Sequence, residues 1–452
     1  MRNRLSSLCL SVLLLLVVIP AGMLIGEELV VYQQGLACVR ETREVQFTAG
    51  VNEIELAGVA AELIPASLSI GVDGEILSQS FHYTPAAGML NEYIGEEIEV
   101  VSQGEGKLYR GILISAGNAI TIRASTGEHH IIKNPVRITL PPLKGLTTVP
   151  QVNLVVRRSE AGTAQLSLLY LTRGIDWQAS YIGFLNPAQS AISLEGWVSI
   201  ANSCGRDFQR AAVSLIAGEL NRTFEGPGNT RGEMAAMALQ PSISESTAFE
   251  YHLYQLPGAL TLTHGETILV PYTVTPSVDV EKKYTYDGAR QAGVQVEFNW
   301  GHDTGMALPA GTVRLFHRRD AGTIFIGQSA IPHTPVGEKI KLKVGSSFDL
   351  VGERTQVSRE KIAPSAYRET YRITLRNHKP EGITVDLLEH PAGKTWEIIN
   401  AWLKCKENYE GVIEFVDTEQ PYEKIDSSTV KFVVHVPAHG ESEVTYTVEY
   451  SY

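Results

Sequence analysis

Cysteine is scarce in this chain. There are four in 452 residues and no C-x-x-C pair among them, so neither a zinc knuckle nor a dithiol redox motif can form from local sequence. Cys9 lies in an apolar leader, leaving Cys38, Cys204 and Cys405 far apart. An exported chain could oxidise two of these and would leave one over; single buried thiols are the expectation. Basic charge is also short, with 38 Lys and Arg against 50 Asp and Glu for a formal net charge of -12. The signs are interspersed, so no basic face exists for nucleic acid, which is excluded as a partner.

Helical periodicity is nearly missing, "GEMAAMALQ" at 232–240 being the one candidate. Without strand-to-helix turns a G-x-S-x-G elbow has no context, and none is present. No H-x-x-x-H falls on a helix; on a strand, positions four apart lie roughly 13 Å from each other, too far for His435 and His439 to share a metal. The adjacent pair His129 and His130 has no partner pattern either. "GPGNTRG" at 226–232 lacks the Lys-Ser end of a phosphate cradle. Cys204 sits in a turn beside Arg206, which could lower its pKa, but no histidine is near it in sequence. No catalytic residue, metal ligand or cofactor site is expected.

What the chain does have, first, is a leader. Arg2 and Arg4 precede an uncharged stretch from Leu5 to Gly26 with the apolar centre "LCLSVLLLLVVI". This reads as an export signal cut ahead of Glu27, or an uncleaved anchor, since ~20 apolar residues span a bilayer. The expected location is therefore extracytoplasmic, with membrane contact only through residues 1–26. Beyond them almost everything alternates with period two, the mark of half-buried strands. Residues 91–142 read as five short strands with turns at "QGEG" and "SAGN", a small barrel of the SH3 or Sm kind; Glu96, Glu97, Glu99 and Glu105 make RNA a poor ligand for it. Two later segments share one design: "AISLEGWVSIANSCGRDFQRAAVSLIAG" and "ETYRITLRNHKPEGITVDLLEH" each run as an alternating strand to an Asn, a Gly-containing turn and a returning strand, as in an immunoglobulin-like hairpin. The expected fold class is all-β and multi-domain: an N-terminal β region at 27–150 containing the small barrel, then β-sandwiches at 151–290 and 291–452. A Gly/Ser/Thr/Pro-rich loop is expected near 222–246, with a glycosylation sequon at Asn221 to Thr223.

The densest cluster of chemistry-bearing side chains is "YLTRGIDWQASY", Tyr170 to Tyr181. Ile175, Trp177, Ala179 and Tyr181 share one face of a strand, so Trp177 and Tyr181 are candidate core plugs. Alternatively they form a sugar-stacking platform with Arg173 and Asp176 as polar partners. Trp197, in the Gly-Trp strand that follows, is grouped with them. The "LPAGTVRLFHRR" strand is a candidate for self-assembly through a sheet edge.

"LSLLYLTRGIDWQASYIGFLN", "LEGWVSIANSCGRDFQRAAVSLIAGELNR", "LPAGTVRLFHRRDAGTIFIGQSAIPHTPVGEKIKLKVGSSFDLVGER" and "ITLRNHKPEGITVDLLE" together resemble the bacterial domain-of-unknown-function family that includes proteins named mucoidy inhibitor A. The resemblance covers about 152–452, with a shorter stretch, "VYQQGLACVRETREVQF", near the start. It implies an exported, β-rich protein of the cell envelope and, through the mucoidy name, a link to capsule or exopolysaccharide. The family has no established activity, so no catalytic residue is carried over. Many relatives hold a long coiled-coil insertion in the N-terminal half, where this chain has the barrel-like segment. The expected function is a non-enzymatic structural or binding module, with cell-surface polysaccharide or an envelope protein as candidate partner; the alternative is a hydrolase acting on surface polysaccharide.

Overall fold

The computed structural model describes residues 24–103, 106–142, 147–218, 245–248, 251–291, 293–303, 305–409 and 412–452. The apolar leader up to residue 23 and nearly all of the expected 222–246 loop, with its sequon and its helix candidate, lie outside them. Strands make up 68% of the structure and helix 2%, so the chain is all-β, a multi-domain sandwich fold.

The chain divides into two compact units, Met1–Trp177 with Ile200–Ile268, and Gln178–Ser199 with Leu269–Tyr452. The first strands are β1 (Leu24–Tyr32), β2 (Leu36–Phe47), β3 (Gly50–Ala57), β4 (Ser69–Gly71) and β5 (Glu75–His82). Strand β1 thus begins inside the expected leader, and Leu24 and Gly26 pair with Arg43 and Thr42 of β2. Next come β6 (Glu97–Ser102), β7 (Leu108–Ala116), β8 (Ala119–Arg123), β9 (His129–Lys133) and β10 (Pro135–Thr139). They form their own five-stranded sheet in the order β10-β6-β7-β8-β9, the fifth strand returning beside the first, around Tyr93, Ile98, Val100, Leu113, Ile120, Ile122 and Ile132. Burying one residue in two along these strands is what their alternation dictates.

The chain continues with β11 (Gln151–Arg158), β12 (Gly162–Arg173), β13 (Ile175–Leu185), β14 (Ala191–Asn202), β15 (Phe208–Ala217), β16 (Glu245–Ala248), β17 (Tyr251–Leu262) and β18 (Thr267–Asp279). A seven-stranded sheet runs β16-β17-β15-β1-β2-β12-β4, and β3-β11-β5 form a separate sheet. Last come β19 (Glu281–Tyr286), β20 (Gln295–Gly301), β21 (Gly311–Arg319), β22 (Gly322–Ile331), β23 (Lys339–Ser346), β24 (Leu350–Ala363), β25 (Ala366–Asn377), β26 (Ile383–Glu389), β27 (Thr395–Tyr409), β28 (Val412–Glu419), β29 (Tyr422–Lys424), β30 (Val430–Val436) and β31 (Glu441–Ser451). Sheets β23-β20-β19-β26-β30-β29 and β24-β25-β31-β27-β28 enclose one core in the second unit, with Tyr286, Val385, Leu387, Phe432 and Val434 on one side and Ile373, Leu375, Val444, Tyr446 and Val448 on the other.

Strand order shows that one design is used twice. The run β16-β17-β15-β1-β2-β12 has the same order as β29-β30-β26-β19-β20-β23, and in both the one parallel pair joins the first strand to the fourth of these: β1 with β15, β19 with β26. The set β13-β14-β18 corresponds to β24-β25-β31. The correspondence extends to atoms at the Asn turns. Asn202 donates from Nδ2 to the carbonyls of Arg206 at 2.7 Å and Leu262 at 2.9 Å, and its Oδ1 accepts from the Cys204 N–H. Asn377 donates to the carbonyls of Glu381 at 2.8 Å and Pro437 at 2.9 Å, and accepts from the Lys379 N–H. Every residue of the second set stands 175 positions after its counterpart (377 less 202). Both amides are buried, where an unmet donor is costly, so each Asn clamps its turn to the strand that ends some 60 residues later. "HGE" at His264 to Glu266 recurs at His439 to Glu441 with the same offset.

The "LPAGTVRLFHRR" strand, expected to offer an edge, does not. As β21 it lies inside the sheet β18-β14-β13-β21-β22, parallel to β13 on one side and antiparallel to β22 on the other.

Candidate functional site

In "YLTRGIDWQASY" the chain turns at Gly174, whose φ of 82° suits glycine and whose missing side chain lets Ser203 and Cys204 approach. Around that turn the Asp176 carboxylate accepts the Gly35 N–H at 3.2 Å, and the Gly174 carbonyl accepts both the Ser203 N–H at 2.6 Å and its hydroxyl at 2.9 Å. Asp176 therefore braces the β1–β2 turn. Arg173 projects from the end of β12 as an exposed side chain. Trp177 is buried, donates from Nε1 to the Ile216 carbonyl at 3.2 Å and meets Tyr254 edge-on. Tyr181 is buried as well, its hydroxyl donating to the Pro309 carbonyl at 2.7 Å. Trp197 differs from both. It points from the opposite face of β14, half-buried, with an indole N–H that has no hydrogen-bond partner. The five residues do not converge on one surface.

The other aromatic of the stretch, Tyr170, leads to a cluster that sequence reasoning missed. Its hydroxyl accepts from the Arg206 guanidinium at 2.9 Å. Arg206 also binds Glu41 at 2.6 Å and Glu27, whose second oxygen accepts the Gln209 N–H at 3.1 Å. Arg43 closes the group by donating to Glu41 at 2.8 Å and to the Ala57 carbonyl at 2.6 Å. All four charged residues are buried, two of each sign, which is how buried charge becomes tolerable. Burial raises the Glu27 carboxyl above its ordinary value, and Arg206 pulls it part of the way back. The only sequence signal was charge on the inward parity of strands β1 and β2.

Cys204, in the turn beside Arg206, is buried as single thiols were expected to be, and burial pushes its thiol up to about 11. Arg206, itself bound to the two glutamates, pulls it only part of the way back. Cys38 is raised to about 11 by the same desolvation. Cys38, Cys204 and Cys405 are all unpaired and buried.

A second polar network occupies the second unit. Glu389 is fully buried and takes three bonds from Arg354 at 2.9 to 3.0 Å and one from the Tyr446 hydroxyl. The same guanidinium lies 3.9 Å over the Tyr371 ring. Tyr371 in turn donates to Glu369 at 2.6 Å, and Glu369 also accepts from Tyr450 at 2.9 Å and pairs with Arg359 at 3.1 Å. Burial first, then Glu389, holds the Tyr446 phenol well above its usual range. Nearby strand ends carry His390, with Nε2 2.9 Å from Asp287 and Nδ1 3.3 Å from the Thr429 hydroxyl. A threonine, a histidine and an aspartate in series suggest acyl chemistry, yet Thr429 is buried and its hydroxyl also bonds Asp426.

On the small sheet, Glu97, Ile98, Glu99, Arg110, Thr139, Leu140 and Pro141 line an open depression of about 300 Å³, with Arg110 paired to Glu99. Among the described residues no group of three His, Cys, Asp or Glu is placed to hold a metal ion. Fold and clusters together define a tandem all-β sandwich protein. No known protein-family model matches the chain, and no curated protein does either.

Proposed function

We propose that the protein is an exported, non-enzymatic module that binds or scaffolds components of the cell envelope, with surface polysaccharide or an envelope protein as partner. The use made of its buried acids carries this reading. Glu27, Glu41, Glu369 and Glu389, all buried, are each held by arginine or tyrosine groups of the same unit, which suits a rigid body better than proton transfer. The apolar leader and the resemblance to envelope proteins support the proposed location. Its test is a panel of polysaccharides, peptidoglycan and envelope proteins presented to the purified full chain. Saturable binding without turnover is expected; turnover of a glycan that disappears in Glu369→Gln or Glu389→Gln at intact fold would replace this reading with a hydrolase.

A further inference from the structure

The sheet β18-β14-β13-β21-β22 buries one face, with Tyr181, Leu185, Val313 and Leu315 turned to the core. On the other face, within the second unit, an aromatic row crosses three strands. Phe184 of β13 stands opposite Phe316 of β21, and Phe316 opposite Phe325 of β22, with ring centroids 5.8 and 5.5 Å apart. Phe325 is 54% exposed. Polar rows flank the rings on both sides, about 7 Å away along the strands. In one, Arg314 lies between Ile182 and Gln328; in the other, Arg318 lies opposite Thr323. The Arg318 guanidinium sits 4.5 Å over the Phe184 ring, which places it on this same face beyond the register shift between Leu315 and Phe316. Both arginines are exposed, and neither is paired with a carboxylate among the described residues. From Gln178 onward no outward residue of β13, β21 or β22 is acidic. The first carboxylate on this face is Glu195 of β14, and at the hairpin tip Arg319 and Asp320 offset one another.

We propose that this face binds an acidic polysaccharide, a sugar ring stacking on Phe325 while its carboxylates meet Arg314 and Arg318. The inference rests on the proposed binding role and gives that role a site and a ligand class. Exposed apolar surface rimmed by polar residues marks a contact site. Strand β21, at the centre of the row, is paired on both sides, so it offers a peptide no backbone to pair with. A pyranose brings what the face lacks. Its ring has an apolar side for the phenylalanine, hydroxyls at its rim for Gln328 and Thr323 and, in a uronic acid, a planar carboxylate that fits the guanidinium fork. Two arginines on a chain of net charge -12 match the spaced carboxylates of such a polymer better than the dense phosphates of a nucleic acid or an anionic membrane.

Isothermal titration of the purified full chain with polygalacturonate and hyaluronan, each beside its carboxyl-reduced form, tests this. Wild type is expected to bind a polyuronate saturably and the reduced form at least about tenfold more weakly. Arg314→Gln with Arg318→Gln should weaken binding at least about tenfold, and Phe325→Ala about fivefold, whereas Phe325→Trp should keep it. The three positions are exposed, so thermal melts of the variants should match wild type, and retention in Phe325→Trp separates a lost ring from a lost fold. A wild type that binds neither polyuronate but does bind another polysaccharide or an envelope protein overturns the proposal and leaves the binding role standing; no binding to any of them removes both. Binding undiminished in the variants puts the site elsewhere. Tighter binding to vesicles of anionic lipid, lost in the same variants, makes the occupant a membrane, and either result overturns the proposal.

Discussion

At the scale of single residues, the groups that look chemical are the ones that hold the fold. Arg206 is bound to two buried glutamates and a tyrosine, and taking one partner from such a set strands a buried charge. Arg206→Met should therefore cost about 3 kcal/mol in a denaturant titration, while Arg173→Ala, at an exposed position, should stay within about 0.5 kcal/mol. Trp177→Ala should cost about 3 to 5 kcal/mol. The thiols give a pH dependence with a definite sign. Cys38 and Cys204 ionise near 9.0 when unfolded and at about 11 when folded. Between those values the unfolded chain releases protons that the folded chain keeps, so the stability these residues contribute is complete below pH 9 and is lost as pH rises through 11. A shift of this size is worth of order 2 kcal/mol per thiol. Urea titrations at pH 8 and pH 10.5 should show the fall, and the double variant Cys38→Ala, Cys204→Ala should show a smaller one; an equal fall in the variant would contradict the assignment.

At the scale of elements, the Asn turns define the repeat. Asn202→Ala and Asn377→Ala each remove bonds to a turn carbonyl and to a distant strand, and each should cost about 2 to 3 kcal/mol by thermal or urea unfolding. Near-equality of the two losses is the sharper expectation, because three bonds of each Asn match atom for atom, Asn377 adding only a longer one to the Val436 carbonyl at 3.3 Å. Much at this scale was legible in the sequence: period-two alternation gave the strands, and the shared Asn-turn pattern gave the duplicated hairpin. Trp177 and Tyr181 were legible as core for the same reason, since an apolar side chain on the inward parity of a strand has one place to go. The partners of strands were not legible. That β21 would cross to β13 in parallel, or that β1 would lie beside β15, depends on contacts between distant segments that local patterning does not encode. The ion clusters escaped for a related reason: Glu27, Glu41 and Arg206 read as ordinary charged residues until the sheet brings them together.

At the scale of the whole molecule, the chain is one sandwich design written twice, with the insertions of each copy differing in size and content. Its buried carboxylates are spent within the two units, and the surfaces left for partners are sheet edges and faces. The central claim is that the Arg354–Glu389–Tyr446 network and its Glu369 neighbours serve stability and not turnover. The most direct test is Glu389→Gln in the full chain, followed by the unfolding midpoint and glycan hydrolysis side by side. Loss of a buried charge pair should cost about 3 kcal/mol, a midpoint lower by roughly 6 to 12 °C for a unit of this size, with no hydrolysis by either protein. An unchanged midpoint together with the loss of a hydrolytic activity that the wild type possesses would contradict it.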